Sequence, residues 1–205
     1  MLKYVDAKVV FQEVPEEITL AINISNCPCA CKNCHSAYLA EDIGTALTVK
    51  ETERLIKENK GITCICFMGG DAEPEEINVI AKVIRKTHKK LRIAWYSGRQ
   101  ELSKEIDLRN FNYIKLGPYI EDKGPLTCRT TNQKFYAVLP KGYYNNVTGY
   151  KITSFMGIVR SVKREKMYFL GDFRKKMPEA IADSENMSTF ALAKTKWEVL
   201  YGQLL

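Results

Sequence analysis

Residues 62–98 read ITCICFMGGDAEPEEINVIAKVIRKTHKKLRIAWYSG. Ile62–Met68 is a short apolar run, the pattern of a strand buried on both faces, and it stops at Gly69-Gly70. Pro74 stands where a first helical position belongs, with Glu75 and Glu76 in the first turn. Ile77, Ile80, Ala81, Ile84 and His88 then recur at helical spacing, and the segment closes in Lys86–Lys90. Acids at the start and cations at the end both suit a helix dipole. Leu91–Tyr96 is the next strand and Ser97-Gly98 its turn. A strand, a helix and a strand of this length make a βαβ unit, which places two parallel strands side by side.

The same alternation extends outward. On the N-terminal side, Ala7–Gln12 and Ile18–Ile24 read as strands, the second with Ile18, Leu20, Ile22 and Ile24 on one side of the pleat. Thr48 followed by Glu51 is a capping-box pattern that opens a helix over Val49–Asn59, closed by Gly61. On the C-terminal side a charged segment, Gln100–Leu108, reads as a helix and Tyr113–Leu116 as a strand before Gly117-Pro118. This order predicts an α/β fold with a mainly parallel sheet. From Tyr136 the pattern loosens: GYYNNVTG is turn-rich, and Phe190–Leu205 suits a terminal helix using Phe190, Lys194, Trp197, Leu200 and Tyr201.

The chain has 205 residues, 45% hydrophobic and 27% charged, with a net charge of +7. That apolar fraction excludes a disordered chain, and the absence of any run of about 18 apolar residues excludes a membrane-spanning helix. The first residues carry acids and a proline where a secretory signal needs an apolar stretch, so a cytoplasmic location is expected. Basic residues spread along the chain, densest at Lys86–Lys90 and Arg174–Lys176. A nucleic-acid binder concentrates them in a stripe with interleaved aromatics, so solvated helix ends are the simpler reading.

Four of the seven cysteines fall within eight residues: Cys27, Cys29, Cys31 and Cys34. In a reduced compartment so dense a loop binds metal or does redox chemistry more often than it forms disulfides. Cys27, Cys31 and Cys34 have the spacing Cys-x3-Cys-x2-Cys. Three thiolates on one loop can hold three irons of a 4Fe–4S cube and leave the fourth iron open to a chelating small molecule. Asn33 tolerates the left-handed backbone that a tight loop requires. Zinc is the alternative, with Cys29 or His35 as fourth ligand, although zinc sites usually present pairs separated by a longer stretch. Cys29 itself reads as a spare thiol, with a substitute ligand as the alternative. Cys64 and Cys66 alternate along a buried strand and should pack as small hydrophobes on one face.

The spacing in CPCACKNCHS is that of the radical S-adenosylmethionine superfamily. NISNCPCACKNCHS, FMGGDAEPEE, AWYSGR and YIKLGPYIE with TTNQKFY resemble, in that order, the anaerobic ribonucleoside-triphosphate reductase activating proteins, over roughly residues 3–156. The resemblance implies a partial (βα) barrel over residues 1–156, with 157–205 an extension of unknown role. It implies that Cys27, Cys31 and Cys34 hold a 4Fe–4S cluster. It also implies that Gly69, Gly70 and Asp71 meet the methionine amino group of S-adenosyl-L-methionine, although many relatives carry Glu where this chain has Asp71. Asn33, His35 and Ser97 would complete the cofactor-binding set. The implied activity is reductive cleavage of S-adenosylmethionine and formation of a glycyl radical on the partner reductase, with electrons from a flavodoxin-type donor. No side chain need act as acid or base, since the chemistry is the cofactor's. Another radical S-adenosylmethionine enzyme with a different target, and a non-catalytic zinc module, are the alternatives.

Overall fold

A computed structural model describes residues 1–128, 130–140 and 164–169, with 139, 140 and 164–169 described by backbone alone. Among the described residues, eight strands form one sheet in the order β3-β1-β2-β4-β5-β6-β7-β8. They are β1 (Lys3–Val10), β2 (Thr19–Ile24), β3 (Thr45–Ala46), β4 (Cys64–Met68), β5 (Arg92–Tyr96), β6 (Tyr113–Leu116), β7 (Lys134–Pro140) and β8 (Arg164–Phe169). Two α-helices, α1 (Val49–Glu58) and α2 (Pro74–Thr87), make the crossovers into β4 and β5. The four central strands β2, β4, β5 and β6 pair in parallel. Both flanks are antiparallel, β3-β1-β2 on one side and β6-β7-β8 on the other. The sheet is therefore mixed rather than mainly parallel as expected, with a parallel centre, and among the described residues β3 and β8 do not pair to close it. β1 and β2 are joined by only the eight residues 11–18, too few for the crossover that a parallel neighbour needs.

Strand β4 shows how the sequence builds the core. Ile65 and Phe67 pack with Leu55 and Ile56 of α1 and with Ile77, Ile80, Ala81 and Ile84 of α2. Cys64 and Cys66 lie on the opposite face with Val14, Ala94, Tyr96, Tyr113 and Ala137. The first four of the five β4 side chains, Cys64 to Phe67, are fully buried, as an unbroken apolar run demands. Burial pushes the Cys64 and Cys66 thiols well above the ordinary range, so both serve as small hydrophobes.

Three expectations need correction. Gln100–Leu108 is not a helix; a single 3₁₀ turn, Leu108–Asn110, replaces it. Its backbone is held instead by side chains, with Asp107 donating its amide to Asn78 Oδ1 at 2.9 Å and Asp107 capping the turn at Arg109. The first strand begins at Lys3 rather than Ala7, because pairing with both β2 and β3 recruits Lys3 and Tyr4. Ile18 stays outside β2 and 39% exposed, its amide bonded to Thr63 Oγ1. The boundary expected after residue 156 and the terminal helix over 190–205 lie outside the described residues, as does Arg174–Lys176. Strand β8 falls within the stretch expected as an extension and pairs with β7.

The capping box at α1 is half formed. Thr48 Oγ1 accepts the Glu51 amide at 3.1 Å, but the Glu51 carboxylate turns away to Arg54 (2.6 Å) and to the Tyr4 hydroxyl (2.5 Å). These partners, Arg54 above all, hold the Glu51 carboxyl at about 2 instead of the ordinary 4.5. A carboxyl depressed on folding stabilises the native state above its unfolded pKa and loses that contribution as pH falls through the folded one. Urea unfolding of the native chain and Glu51→Gln should therefore show a stability gap that is constant above pH 5. The gap should shrink between about pH 4.5 and 2; one that ignores pH would show that the ion pair contributes nothing.

Candidate functional site

The carboxyl ends of four parallel strands meet at one rim, which is where α/β folds gather ligands. The cysteine loop follows β2 directly. Its base is tied down by backbone bonds from Ser25 to Lys3 (3.0 Å), Asn26 to Glu41 (2.9 Å) and Cys27 to Leu39 (2.9 Å). Within it, Asn26, Ala30 and Asn33 take left-handed backbones at φ 59°, 44° and 56°. Asparagine adopts this region readily, whereas for Ala30 it costs about 1–3 kcal/mol. The Cys34 amide bonds back to Cys31 at 3.2 Å and that of Ala37 to Cys34 at 3.1 Å, so the loop closes on itself. Asn33 sends its amide to Glu121 Oε2 at 2.6 Å, linking the cysteine loop to the loop after β6. All four loop cysteines are free and half-buried, and His35 is exposed.

Beneath the loop sits Asp71, only 1% exposed. Ser97, equally buried at the end of β5, donates its hydroxyl to Asp71 Oδ1 at 2.6 Å. The Gly98 amide donates to Oδ2 at 2.9 Å, and Cys29 Sγ lies 3.8 Å from the same oxygen. Gly98 has to be glycine, since a Cβ there would stand 2.5 Å from the Cys29 sulfur. Arg99 adds a bond to the Asp71 carbonyl at 3.0 Å. Cys29 also hydrogen-bonds Cys27, which pulls the Cys27 thiol down to about 6 and pushes its own pKa up. Among the described residues, Cys27, Cys29 and Asp71 form a group of donors within 4.8 Å of one another. Cys31 and Cys34 stand outside it. Thiolates on three corners of a cube are spread more widely than donors to one ion, so this spacing reports on a single-ion set and not on a cluster.

Lys115, at the end of β6, completes the floor. It is 9% exposed, and its ammonium donates to the Gly117 carbonyl at 2.7 Å and the Ser97 carbonyl at 3.5 Å. Burial pulls its pKa down, while the charge of Asp71 and of the Cys31, Cys29 and Cys34 sulfurs opposes that shift. A buried cation thus faces the thiols.

Gly69 and Gly70 end β4 with φ of 102° and 83°. A Cβ at Gly70 would stand 2.6 Å from Ile77 Cδ1, so close helix packing as well as backbone shape demands glycine there. Their carbonyls are not unpaired, as a strand end suggests. Gly69 accepts the Trp95 indole N–H at 2.7 Å and Gly70 the Glu73 amide at 3.1 Å, leaving one lone pair on each.

The structure therefore brings Gly69, Gly70, Asp71 and Ser97 to the rim beside Cys27, Cys31 and Cys34, and turns Asp71 and Ser97 inward beneath it. Sequence reasoning missed Lys115, a charge buried within a short strand. Cys29, read as a spare thiol or a substitute ligand, lies 3.8 Å from the Asp71 carboxylate. Thr130–Gln133 acts locally: Thr130 and Thr131 bond to the Lys123 and Gly124 carbonyls and Asn132 to that of Pro118, stitching the loop between β6 and β7. No helix among the described residues is long and apolar enough to cross a membrane. No protein-family model, curated protein or solved structure matches the chain.

Proposed function

We propose that this chain reductively cleaves S-adenosylmethionine at a 4Fe–4S cluster and installs a glycyl radical on an anaerobic ribonucleoside-triphosphate reductase, drawing electrons from a flavodoxin-type donor. One observation carries the reading: a loop of free cysteines stands at the carboxyl ends of parallel strands, above a buried Asp71–Ser97 pair and a buried Lys115. Its donor set fits the cluster, since three half-buried thiols on one loop leave one side of a cube without a protein ligand. Cys27, Cys31 and Cys34 would hold it. When bound, such a cluster supplies the single electron that breaks a sulfonium carbon–sulfur bond.

The remaining work belongs to the chain's own groups. Lys115, itself buried, offsets the negative charge of the thiolates. The carbonyls of Gly69 and Gly70 each retain one lone pair for an ammonium. Asp71 and Ser97 brace the rim from below.

Anaerobic reconstitution with iron and sulfide tests the proposal. About four irons per chain are expected, with 5′-deoxyadenosine formed when S-adenosylmethionine and a strong reductant are added. A glycyl-radical signal in electron paramagnetic resonance, appearing only when the reductase is present, identifies the target. One zinc and no iron would replace this reading with a structural metal module.

A further inference from the structure

We propose a second metal site in this chain, distinct in composition from the cluster triad: Cys27, Cys29 and Asp71 bind one thiophilic divalent cation of the zinc type when no cluster is present.

The geometry is close to that of a bound ion. In a tetrahedral site, metal–sulfur bonds of about 2.3 Å and metal–oxygen bonds of about 2.1 Å set a sulfur-to-oxygen edge of about 3.6 Å. Cys29 Sγ lies 3.8 Å from Asp71 Oδ2, and the three donor atoms all fall within 4.8 Å of one another. The carboxylate is already oriented: the Ser97 hydroxyl fixes Oδ1 and the Gly98 amide fixes Oδ2. Outer partners of this kind aim a ligand and raise its affinity for metal. Glycine at 98 leaves the space that the Cys29 sulfur occupies. Two thiolates and a carboxylate leave the fourth position to water, as in open zinc sites. Binding replaces the thiol protons, which pass to solvent.

The site has a consequence that rests on the cluster reading. Cys27 belongs to both sets, so one chain holds either the single ion or the cube. A cation seated here blocks cluster assembly, and Cys29 is the residue that makes the competition possible.

Cobalt(II) serves as the probe, titrated anaerobically into the full-length, metal-free chain and followed by its thiolate charge-transfer absorption. One cobalt per chain is expected. Cys29→Ala should weaken binding by at least about 100-fold, beyond the 10- to 100-fold that losing an outer partner costs. Ser97→Ala, which releases Asp71 Oδ1 and the Arg99 amide but removes no metal donor, should weaken it by about 10- to 100-fold, and this milder variant guards against misfolding of the first. Cys31→Ala and Cys34→Ala should bind as the native chain does. Equal binding by native and Cys29→Ala chains would overturn the site, as would equal losses in Cys31→Ala and Cys29→Ala. Iron counts on the reconstituted native chain judge the cluster independently, so cobalt binding that depends on Cys29 supports this site whatever those counts show.

Discussion

Cys31→Ala should lower the iron retained by the reconstituted chain from about four atoms to fewer than one and abolish 5′-deoxyadenosine formation. A cube with two protein ligands loses the anchoring that three corners give, and neighbouring donors sit poorly for replacement. Cys29 is turned toward Asp71 and Gly98, and His35 is on the exposed side of the loop. The fold itself should survive. Cys31 is half-buried, and the loop is tied down by backbone bonds that an alanine keeps, so a stability change within about 0.5 kcal/mol is expected. Circular dichroism and urea unfolding of the metal-free variant separate loss of iron from loss of structure. Cys29→Ala is the contrasting control and should keep its iron. Full iron retention by Cys31→Ala would remove the triad assignment.

Trp95→Ala should destabilise the chain by about 3–5 kcal/mol, the largest effect expected from a residue outside the cysteine loop. Trp95 is fully buried in the main core and is paired in register with Phe67 of β4. Its loss leaves a cavity in the main core. The side chain also has a polar duty, since its indole N–H is the donor to the Gly69 carbonyl. Trp95→Phe separates the two contributions, because it fills most of the volume and removes only the donor. It should cost about 1–3 kcal/mol, the range for a buried acceptor left without its partner. Chemical denaturation of both variants checks this. If Trp95→Phe matches the native chain, the indole bond is idle; if it matches Trp95→Ala, packing contributes little.

The elements that sequence alone located share one property: their pattern is local. The burial of β4 on both faces, the Pro74 start of α2 and the left-handed Asn33 all follow from neighbouring residues. The glycines at 69 and 70 and the cysteine loop were legible for the same reason. The antiparallel flanks were not, because pairing between strands decides them, and a strand pattern carries no direction. Gln100–Leu108 failed because Asn78, far away in the chain, takes the amide that a helix would have used. The role of Cys29 depends on contact with residues 71 and 98, which no spacing rule connects to it. Lys115 looked like one charge in a short strand; only the sheet shows that its ammonium points into protein.

At the end of the sheet away from the cysteines, Glu17 accepts from Thr63 at 2.6 Å and from Tyr113 at 3.0 Å and pairs with Arg92 at 2.7 Å. These groups tie together the amino ends of β2, β4, β5 and β6, opposite the cysteine loop. A breeder of new chemistries on this scaffold would leave that foundation untouched and rewrite the opposite margin, because errors at the two ends are punished in different currencies: insoluble protein at one, well-behaved but inert protein at the other.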